Sequence, residues 1–255
     1  MKMISKNKQK FIKSLGLKKF RDAEQLFIAE GPKVVGDLMG HYPCQILAGT
    51  SEYLSAHPEF KAEEIFEITQ KELEQISQLK TPRDVLAIFS QQKSGDFALL
   101  PDFQKDLVLA LDDIQDPGNL GTIIRIADWY GIRHIICSPH SADAFSPKVV
   151  QATMGALARV NVSYTSLTEL FTSLDKSIPV YGTYLDGKDI YSTEITPNGM
   201  IVMGNEGNGI TREVSEYINK RLYLPNYPKG VETSESLNVA VATAITCAEF
   251  RRRIS

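Results

Sequence analysis

Two short apolar runs, each followed by a loop that contains glycine, constrain the fold of this chain most strongly. The run at 106–112 leads into Asp116-Pro-Gly-Asn119, and the run at 200–203 leads into Gly204-Asn-Glu-Gly-Asn-Gly209. Apolar runs of this length are typical of parallel strands that are covered on both faces. Because open parallel sheets bind ligands at the carboxyl ends of their strands, we expect the two loops to form one site.

Strand and helix patterns alternate along the chain, which predicts an α/β fold. Residues 106–255 form the larger domain, with a mostly parallel sheet and helices on both faces. Residues 1–95 form a small α/β domain, in which a helix interrupted near its middle extends over 8–27. Turn-forming residues at 96–105 indicate a linker between the two domains.

The composition excludes several classes of protein. The chain has 255 residues and 43% apolar content, and no apolar run approaches the roughly 20 residues that span a bilayer. The lysine-rich start lacks the apolar centre of a secretory signal, so we expect a cytoplasmic protein with no membrane partner. The three cysteines are far apart and the histidines lack zinc-ligand spacing, so we expect buried thiols and no metal site.

Charge is distributed unevenly. Residues 1–33 contain nine Lys or Arg against three acids and carry +6, whereas the remainder of the chain carries −9. A basic leading segment on an acidic protein is a reasonable footprint for a polyanion such as RNA. A solvated helix with ordinary lysines explains the same charges, so charge alone leaves both interpretations open.

Several residues of the two loops also have ordinary structural explanations. At about 100° per residue, Arg125 falls opposite the apolar face of the helix after Asn119, as a surface or a cleft arginine. Asn119 suits the N-cap of that helix, and Ser234 or Ser236 suits the N-cap of a last helix over 236–253. The glycine-rich loop at 204–209 is explained equally by a ligand or by a strand-to-helix turn.

The order of these pieces closely resembles the three motifs of the SpoU-type branch of the SPOUT methyltransferases. The motifs are Asp113-x-x-Asp116-Pro-Gly-Asn119-Leu-Gly-x-Ile-Ile-Arg125, Met203-Gly-Asn-Glu206-Gly-x-Gly209, and Leu224-Pro225 with Ser236-Leu-Asn-Val-Ala240. The resemblance covers about residues 106–250. The leading segment from Lys18 to Lys33 is similar to the accessory RNA-binding domain that many members carry in front, which resembles a ribosomal protein fold.

The resemblance implies methyl transfer from S-adenosylmethionine to a ribose 2′-hydroxyl of transfer or ribosomal RNA. It also implies a C-terminal part threaded into a trefoil knot, with the cofactor bound in the knot, and a homodimer with composite sites. Periodicity alone would have predicted an unknotted sheet, because knots are nearly absent from protein folds.

The resemblance assigns roles residue by residue. The catalytic positions are Asn119, Arg125, Glu206, Ser236 and Asn238. The cofactor-binding positions are Gly204, Leu224 and Leu237. With the basic segment read as RNA-binding, the expected RNA contacts are Lys13, Lys18, Lys19, Arg21 and Lys33. The loop at 226–235 is longer than the family pattern, which leaves the turn role of Gly230 open.

Two alternatives remain at this stage. A catalytically inactive RNA-binding protein of the same fold would act in ribosome assembly, although the intact Asn119, Arg125, Glu206 and Asn238 argue against it. A nucleotide-binding oxidoreductase requires a Gly-x-Gly-x-x-Gly turn after an early strand, and the sequence contains none.

Overall fold

The computed structural model describes residues 4–91, 101–228, 231, 234 and 236–253. It separates into two compact units, one of Met1–Leu99 with Asp143–Ala158 and the other of Leu100–Ala142 with Arg159–Ser255. Part of the predicted linker, 96–100, lies outside the described residues. Every helix among the described residues is too short or too polar to cross a bilayer.

The described elements follow one another in a regular alternation of helices and strands. In chain order they are α1 (Lys6–Ser14), α2 (Lys18–Glu24), β1 (Leu26–Glu30), α3 (Pro32–Leu38), β2 (Cys44–Gly49), α4 (Ser51–Ala56), β3 (Glu64–Glu67), α5 (Gln70–Ile76), β4 (Val85–Ser90), β5 (Leu107–Asp112), α6 (Pro117–Trp129), β6 (His134–Cys137), α7 (Pro147–Thr153), β7 (Asn161–Tyr164), α8 (Leu167–Ser173), β8 (Val180–Asp189), β9 (Gly199–Gly204), α9 (Arg212–Ser215), β10 (Lys220–Tyr223) and α10 (Val239–Arg252). The predicted α/β fold is confirmed.

The first unit contains a four-stranded mixed sheet in the order β1-β4-β2-β3. Strand β4 runs antiparallel to β1 and β2, and β3 runs parallel to β2. Helix α1 packs its apolar side, including the fully buried Ile12, into the core of this unit. The prediction of one interrupted helix over 8–27 is wrong at its C-terminal end. Gln25 adopts a left-handed conformation with φ of 54° that ends α2, and Leu26 and Phe27 then enter strand β1.

Arg21 is buried in the first unit, where α2 contributes an internal ion pair. The arginine is 3% exposed, and its Nη2 donates to Asp143 Oδ2 at 2.6 Å. Its Nη1 donates to the carbonyls of Leu15 and Gly16, both at 2.9 Å. The pair therefore joins the start of the chain to the segment at 143–158 within this unit.

The second unit contains a six-stranded sheet in the order β10-β8-β9-β5-β6-β7, in which all five neighbouring pairs are parallel. On one face Val108, Ala110 and Val202 pack against side chains from α8 and α9. The alternate residues of the central strands are buried too, and α10 contacts β9 and α6 on that side. The parallel sheet covered on both faces is confirmed.

Two helix starts differ from the sequence-based prediction. Asp116, and not Asn119, is the N-cap of α6, because Pro117 at the first helical position lacks the N–H that would otherwise need a partner. Asn238, and not Ser234 or Ser236, is the N-cap of α10, which begins at Val239. In both cases a polar residue close to the expected cap has the capping role.

The three cysteines are buried free thiols, as the sequence predicts. Burial raises the pKa of Cys137 and of Cys247 to about 12. At neutral pH these side chains are therefore packed as neutral groups within the second unit.

The buried ion pair generates a stability prediction. Replacing Arg21 with Met, of similar volume, leaves the Asp143 carboxylate without its cation and should lower the free energy of unfolding by about 3–5 kcal/mol. The matched control is Lys33→Met, because Lys33 pairs with Asp37 while 62% exposed and should contribute less than about 1 kcal/mol. Chemical denaturation measures both changes, and equal small losses would contradict the structural role of Arg21.

Candidate functional site

The two glycine-containing loops begin side by side at the carboxyl ends of adjacent strands. Strands β5 and β9 pair in parallel along their lengths, and the last pair is Asp112 with Gly204. Asp112 is 3% exposed, and its Oδ2 accepts a hydrogen bond from the backbone N–H of Thr211 at 2.7 Å. This buried carboxylate therefore ties the end of β5 to the end of the loop that follows β9.

Asn119 is the centre of the site. Its backbone N–H donates to the capping Asp116 Oδ1 at 2.8 Å, so its side chain is not used as a cap. The side-chain Nδ2 donates to Glu206 Oε1, and the side-chain Oδ1 accepts from Asn238 Nδ2 at 3.0 Å. Because an ionised carboxylate only accepts hydrogen bonds, Glu206 determines which end of the Asn119 amide faces it.

Asn238 connects this centre to the last helix. Its Oδ1 accepts from the backbone N–H groups of Ala240 and Val241 at 3.0 and 3.3 Å, and its Nδ2 is thereby directed toward Asn119. The structure thus brings together three of the five predicted catalytic residues. The three side chains come from three separate segments of the chain.

The loop after β9 has a defined shape that the motif alone does not explain. Asn205 Oδ1 accepts from the N–H groups of Gly207 and Asn208 at 2.9 and 3.1 Å, and its Nδ2 donates to the carbonyl of Asp113 at 2.9 Å. Asn205 and Gly209 also exchange two backbone hydrogen bonds of 2.9 Å. The three motifs predict no role for Asn205 or Asp112, although an asparagine directly after a strand is a signal for such a side-chain turn.

Gly204 permits this loop to close. A Cβ atom at this position would lie 2.3 Å from the carbonyl carbon of Gly209 and 2.3 Å from the nitrogen of Ile210. The predicted cofactor-binding Gly204 therefore also has a structural reason to be glycine.

Arg125 lies apart from the asparagine centre. It is exposed on α6, as its position opposite the apolar face predicts. Six residues separate it from Asn119, which corresponds to about 9 Å along the helix axis. Within the described part of the chain its guanidinium has no hydrogen bond or ion pair, so it is available for an external anion.

The remaining predicted site residues lie near strand and helix ends. Leu224 is half-buried directly after β10, whereas Ser236 and Leu237 are exposed before the cap of α10. The described residues show no hydrogen bond from Ser236 to the asparagine centre. Gly230 lies outside the described residues.

The predicted RNA-contacting residues have different environments. Lys13, Lys18, Lys19 and Lys33 are exposed in the first unit, and Lys19 Nζ lies 4.8 Å from the ring centroid of the partly exposed Phe20. The predicted RNA contact of Arg21 is wrong, because its guanidinium is buried against Asp143 and two carbonyls and is not available to a phosphate.

The chemistry open to this site is mainly positioning. It offers amide and carboxylate hydrogen-bonding groups at its centre and one exposed cation on α6. Among the described residues there is no group of three His, Cys, Asp or Glu side chains arranged to hold a metal ion.

Comparison with known proteins identifies relatives of both units. The sequence profile of the SpoU rRNA Methylase family matches residues 106–248, and that of the MRM3-like substrate binding domain matches residues 6–87. A 23S rRNA guanosine-2553 2′-O-methyltransferase from Bacillus subtilis is 28% identical, over 98% of this chain and 100% of its own length.

Two solved structures resemble the whole chain. A protein assigned to the TrmH family of RNA methyltransferases, from Porphyromonas gingivalis, is 42% identical with a TM-score of 0.89, covering 99% of this chain and 100% of its own. An rRNA methyltransferase from Sinorhizobium meliloti, bound to S-adenosylmethionine, is 30% identical with a TM-score of 0.84, covering 100% of this chain and 98% of its own.

The close approach at Gly204 generates a prediction. Gly204→Ala should destabilise the protein by about 1–3 kcal/mol, because the added methyl group overlaps backbone atoms that cannot rotate away. Gly207→Ala is the control in the same loop, since its nearest non-neighbouring atom is Asn205 Oδ1 at 3.6 Å. Thermal and chemical denaturation compare the two variants, and equal stability would contradict the packing described here.

Proposed function

The chain belongs to the SpoU rRNA methylase family, and we infer that it transfers a methyl group from S-adenosylmethionine to a ribose 2′-hydroxyl of structured RNA, with ribosomal RNA as the favoured class. The observation that carries the inference is the Asn119 centre, since it joins residues from all three motifs that define the resemblance. The family match and the rRNA methyltransferase relatives support the same reaction.

The edge of the sheet around Gly204 and Leu224 suits the cofactor. Gly204, the last residue of β9, has no side chain, and the half-buried Leu224 and the 50% exposed Leu237 offer apolar contacts. We propose that these three residues hold S-adenosylmethionine by backbone groups and apolar contact. The cofactor supplies a methyl group on a sulfonium sulfur, which is a good leaving group.

We propose that the protein accelerates the reaction mainly by placement. Holding the 2′-hydroxyl in line with the methyl group converts an encounter between two molecules into a step within one complex. Asn119, Glu206 and Asn238 support each other through hydrogen bonds and so form a preorganised wall for the substrate. Ser236, exposed next to this wall, is proposed to contact the substrate.

Arg125 is proposed to stabilise charge. An arginine keeps its proton at any physiological pH, so it is a poor acceptor for the proton of the hydroxyl. Its exposed guanidinium is suited to bind the neighbouring phosphate and to stabilise negative charge that develops on the ribose oxygen.

We further propose a homodimer in which a second copy completes the site. Trp129 at the end of α6 is 84% exposed and Val241 on α10 is 48% exposed, and α6 packs against α10. Apolar groups on two adjacent helices are the kind of surface that a second copy covers. The trefoil knot that the family resemblance implies for the C-terminal part is likewise proposed.

The first unit is proposed to bind the RNA through its exposed lysines. We also propose that the protein is cytoplasmic, because its three unpaired thiols suit a reducing compartment. The substrate-binding domain match over residues 6–87 supports this assignment.

The direct test is transfer of labelled methyl groups from S-adenosylmethionine to total RNA of a strain that lacks the protein. We expect label in 2′-O-methylribose after nucleoside analysis, and mapping then identifies the nucleotide. Label on a base, or no transfer despite cofactor binding to the protein and presentation of ribosomal precursors, would refute the proposed reaction.

Arg125 is tested by two substitutions. Arg125→Ala should lower the rate of methyl transfer about 10²–10³-fold because charge stabilisation is lost. Arg125→Lys should retain measurable activity, since the charge remains. Arg133→Ala is the control, because Arg133 is exposed at the amino end of β6, the opposite edge of the sheet. A lysine variant as inactive as the alanine variant would point instead to the planar fork of arginine.

RNA contact by the first unit is tested through salt dependence. Changing Lys13, Lys18 and Lys19 together to Gln should weaken RNA binding and reduce the slope of log K against log salt by roughly 0.7–0.9 per lost phosphate contact. The control changes three exposed lysines of the second unit: Lys105 and Lys176, which precede β5 and β8, and Lys220, the first residue of β10. An unchanged slope in the first variant, or an equal change in both, would count against the proposal.

A further inference from the structure

The C-terminal end of α10 carries three consecutive arginines with different environments. Arg251 Nε donates to the carbonyl of Tyr130 at 2.7 Å, at the end of α6. Arg252 is 67% exposed, and its Nη2 lies 2.8 Å from Glu249 Oε1. Arg253 is 24% exposed and is turned toward the protein. Equal charges in a row therefore make different contacts.

Arg253 binds the turn that follows β8. Its Nη1 donates to the carbonyl of Thr193 at 2.5 Å and its Nη2 to the carbonyl of Ile190 at 2.7 Å. Its Nε donates to Glu249 Oε1 at 2.6 Å. Glu249 is 4% exposed, so the carboxylate that orients the guanidinium is itself held inside the protein.

The charge on Glu249 is stabilised by its neighbours. Hydrogen bonds from Arg252 and then from Arg253 hold the pKa of Glu249 below its ordinary value. The carboxylate therefore stays ionised and keeps the Arg253 fork fixed in one orientation.

The turn held by Arg253 is hydrogen-bonded to the end of β10, which is proposed to bind the cofactor. Ile190 is fully buried, and its backbone N–H donates to the carbonyl of Tyr223 at 3.0 Å. Tyr223 is the last residue of β10 and precedes Leu224. The hydroxyl of Tyr223 also donates to Asn226 Oδ1 at 2.9 Å, on the far side of Leu224.

We propose that Glu249 and Arg253 are positioning residues for the cofactor. They act through Ile190 and Tyr223 to hold the backbone around Leu224 in the conformation that receives S-adenosylmethionine. The inference rests on the proposed function, because it takes the end of β10 as part of the cofactor site. It assigns to the end of α10 a role in cofactor affinity, in addition to the part that Asn238 has at the start of the same helix.

The test compares Arg253→Ala with Arg252→Ala in the full chain. Both remove one arginine from the same carboxylate, but Arg252 is largely exposed and Arg253 holds the turn. Calorimetric titration with S-adenosylmethionine should show about tenfold weaker binding for Arg253→Ala, the factor expected for lost charged hydrogen bonds. Arg252→Ala should stay within about twofold of the unsubstituted protein, because Arg253 still donates to Glu249 and to both carbonyls of the turn.

Measuring RNA affinity distinguishes a specific loss of cofactor binding from general destabilisation, because destabilisation would weaken RNA binding as well. Arg253→Ala should bind RNA with unchanged affinity at a temperature below its unfolding midpoint. If Arg253→Ala does not fold, Arg253→Lys replaces it, because a lysine keeps the charge but cannot bond both carbonyls and the carboxylate with the same fork. That variant should also bind the cofactor more weakly.

The outcomes separate the two proposals. Unchanged cofactor affinity in the Arg253 variant, equal losses in the Arg252 and Arg253 variants, or a parallel loss of RNA binding would each overturn the positioning role while the methyl-transfer activity of the unsubstituted protein stands. Failure of the unsubstituted protein to bind S-adenosylmethionine would overturn the proposed function, and the positioning role with it.

Discussion

The site depends on the parallel pairing of β5 with β9. This pairing places Asp112 opposite Gly204 and so starts the two functional loops at neighbouring points of one sheet edge. Both strands are buried on both faces, so a slip in their register would move apolar side chains out of their packing positions. The core that stabilises the second unit therefore also sets the distance between Asn119 and Glu206.

Helix α10 extends this constraint to the rest of the site. At its start, Asn238 satisfies two backbone N–H groups and directs its remaining amide group to Asn119. At its end, Arg251 donates to the carbonyl of Tyr130 after α6, and Arg253 donates to the turn after β8, which is hydrogen-bonded to the end of β10. One rigid helix thus holds elements on which both substrates are proposed to bind. Because both ends of the helix are held by hydrogen bonds, the side chains that it orients lose little conformational freedom when a ligand binds, which favours catalysis by placement.

The basic residues show how burial decides the use of a charge. Lys18, Lys19 and Arg21 lie within four positions of one another, yet the lysines are exposed and Arg21 is 3% exposed. A guanidinium satisfies several carbonyl and carboxylate acceptors at once, which makes burial of Arg21 possible with Asp143 as its counter-ion. The positive charge of the leading segment is therefore divided between internal structure and a surface open to a polyanion.

The sequence by itself determined the features that depend on neighbours along the chain. Apolar runs identified the parallel strands, helical periodicity placed Arg125 on an exposed face, and the spacing of three motifs identified the family. Local pattern was not sufficient at boundaries. The apolar pattern predicted Leu26 and Phe27 to be helical, but α2 ends at the left-handed Gln25. Asn119 was predicted to be a cap, but Pro117 occupies the first helical position of α6 and Asp116 is its N-cap.

Only the tertiary structure decided which distant residues meet. Arg21 finds its partner 122 residues away, Asn119 binds Glu206 and Asn238 at separations of 87 and 119 residues, and Arg253 binds a turn 60 residues earlier. Such contacts are set by the order of strands in the sheet and by the packing of α10. The sequence contains the residues that are able to form these contacts, whereas the folded chain selects the pairs by bringing their atoms within hydrogen-bonding distance.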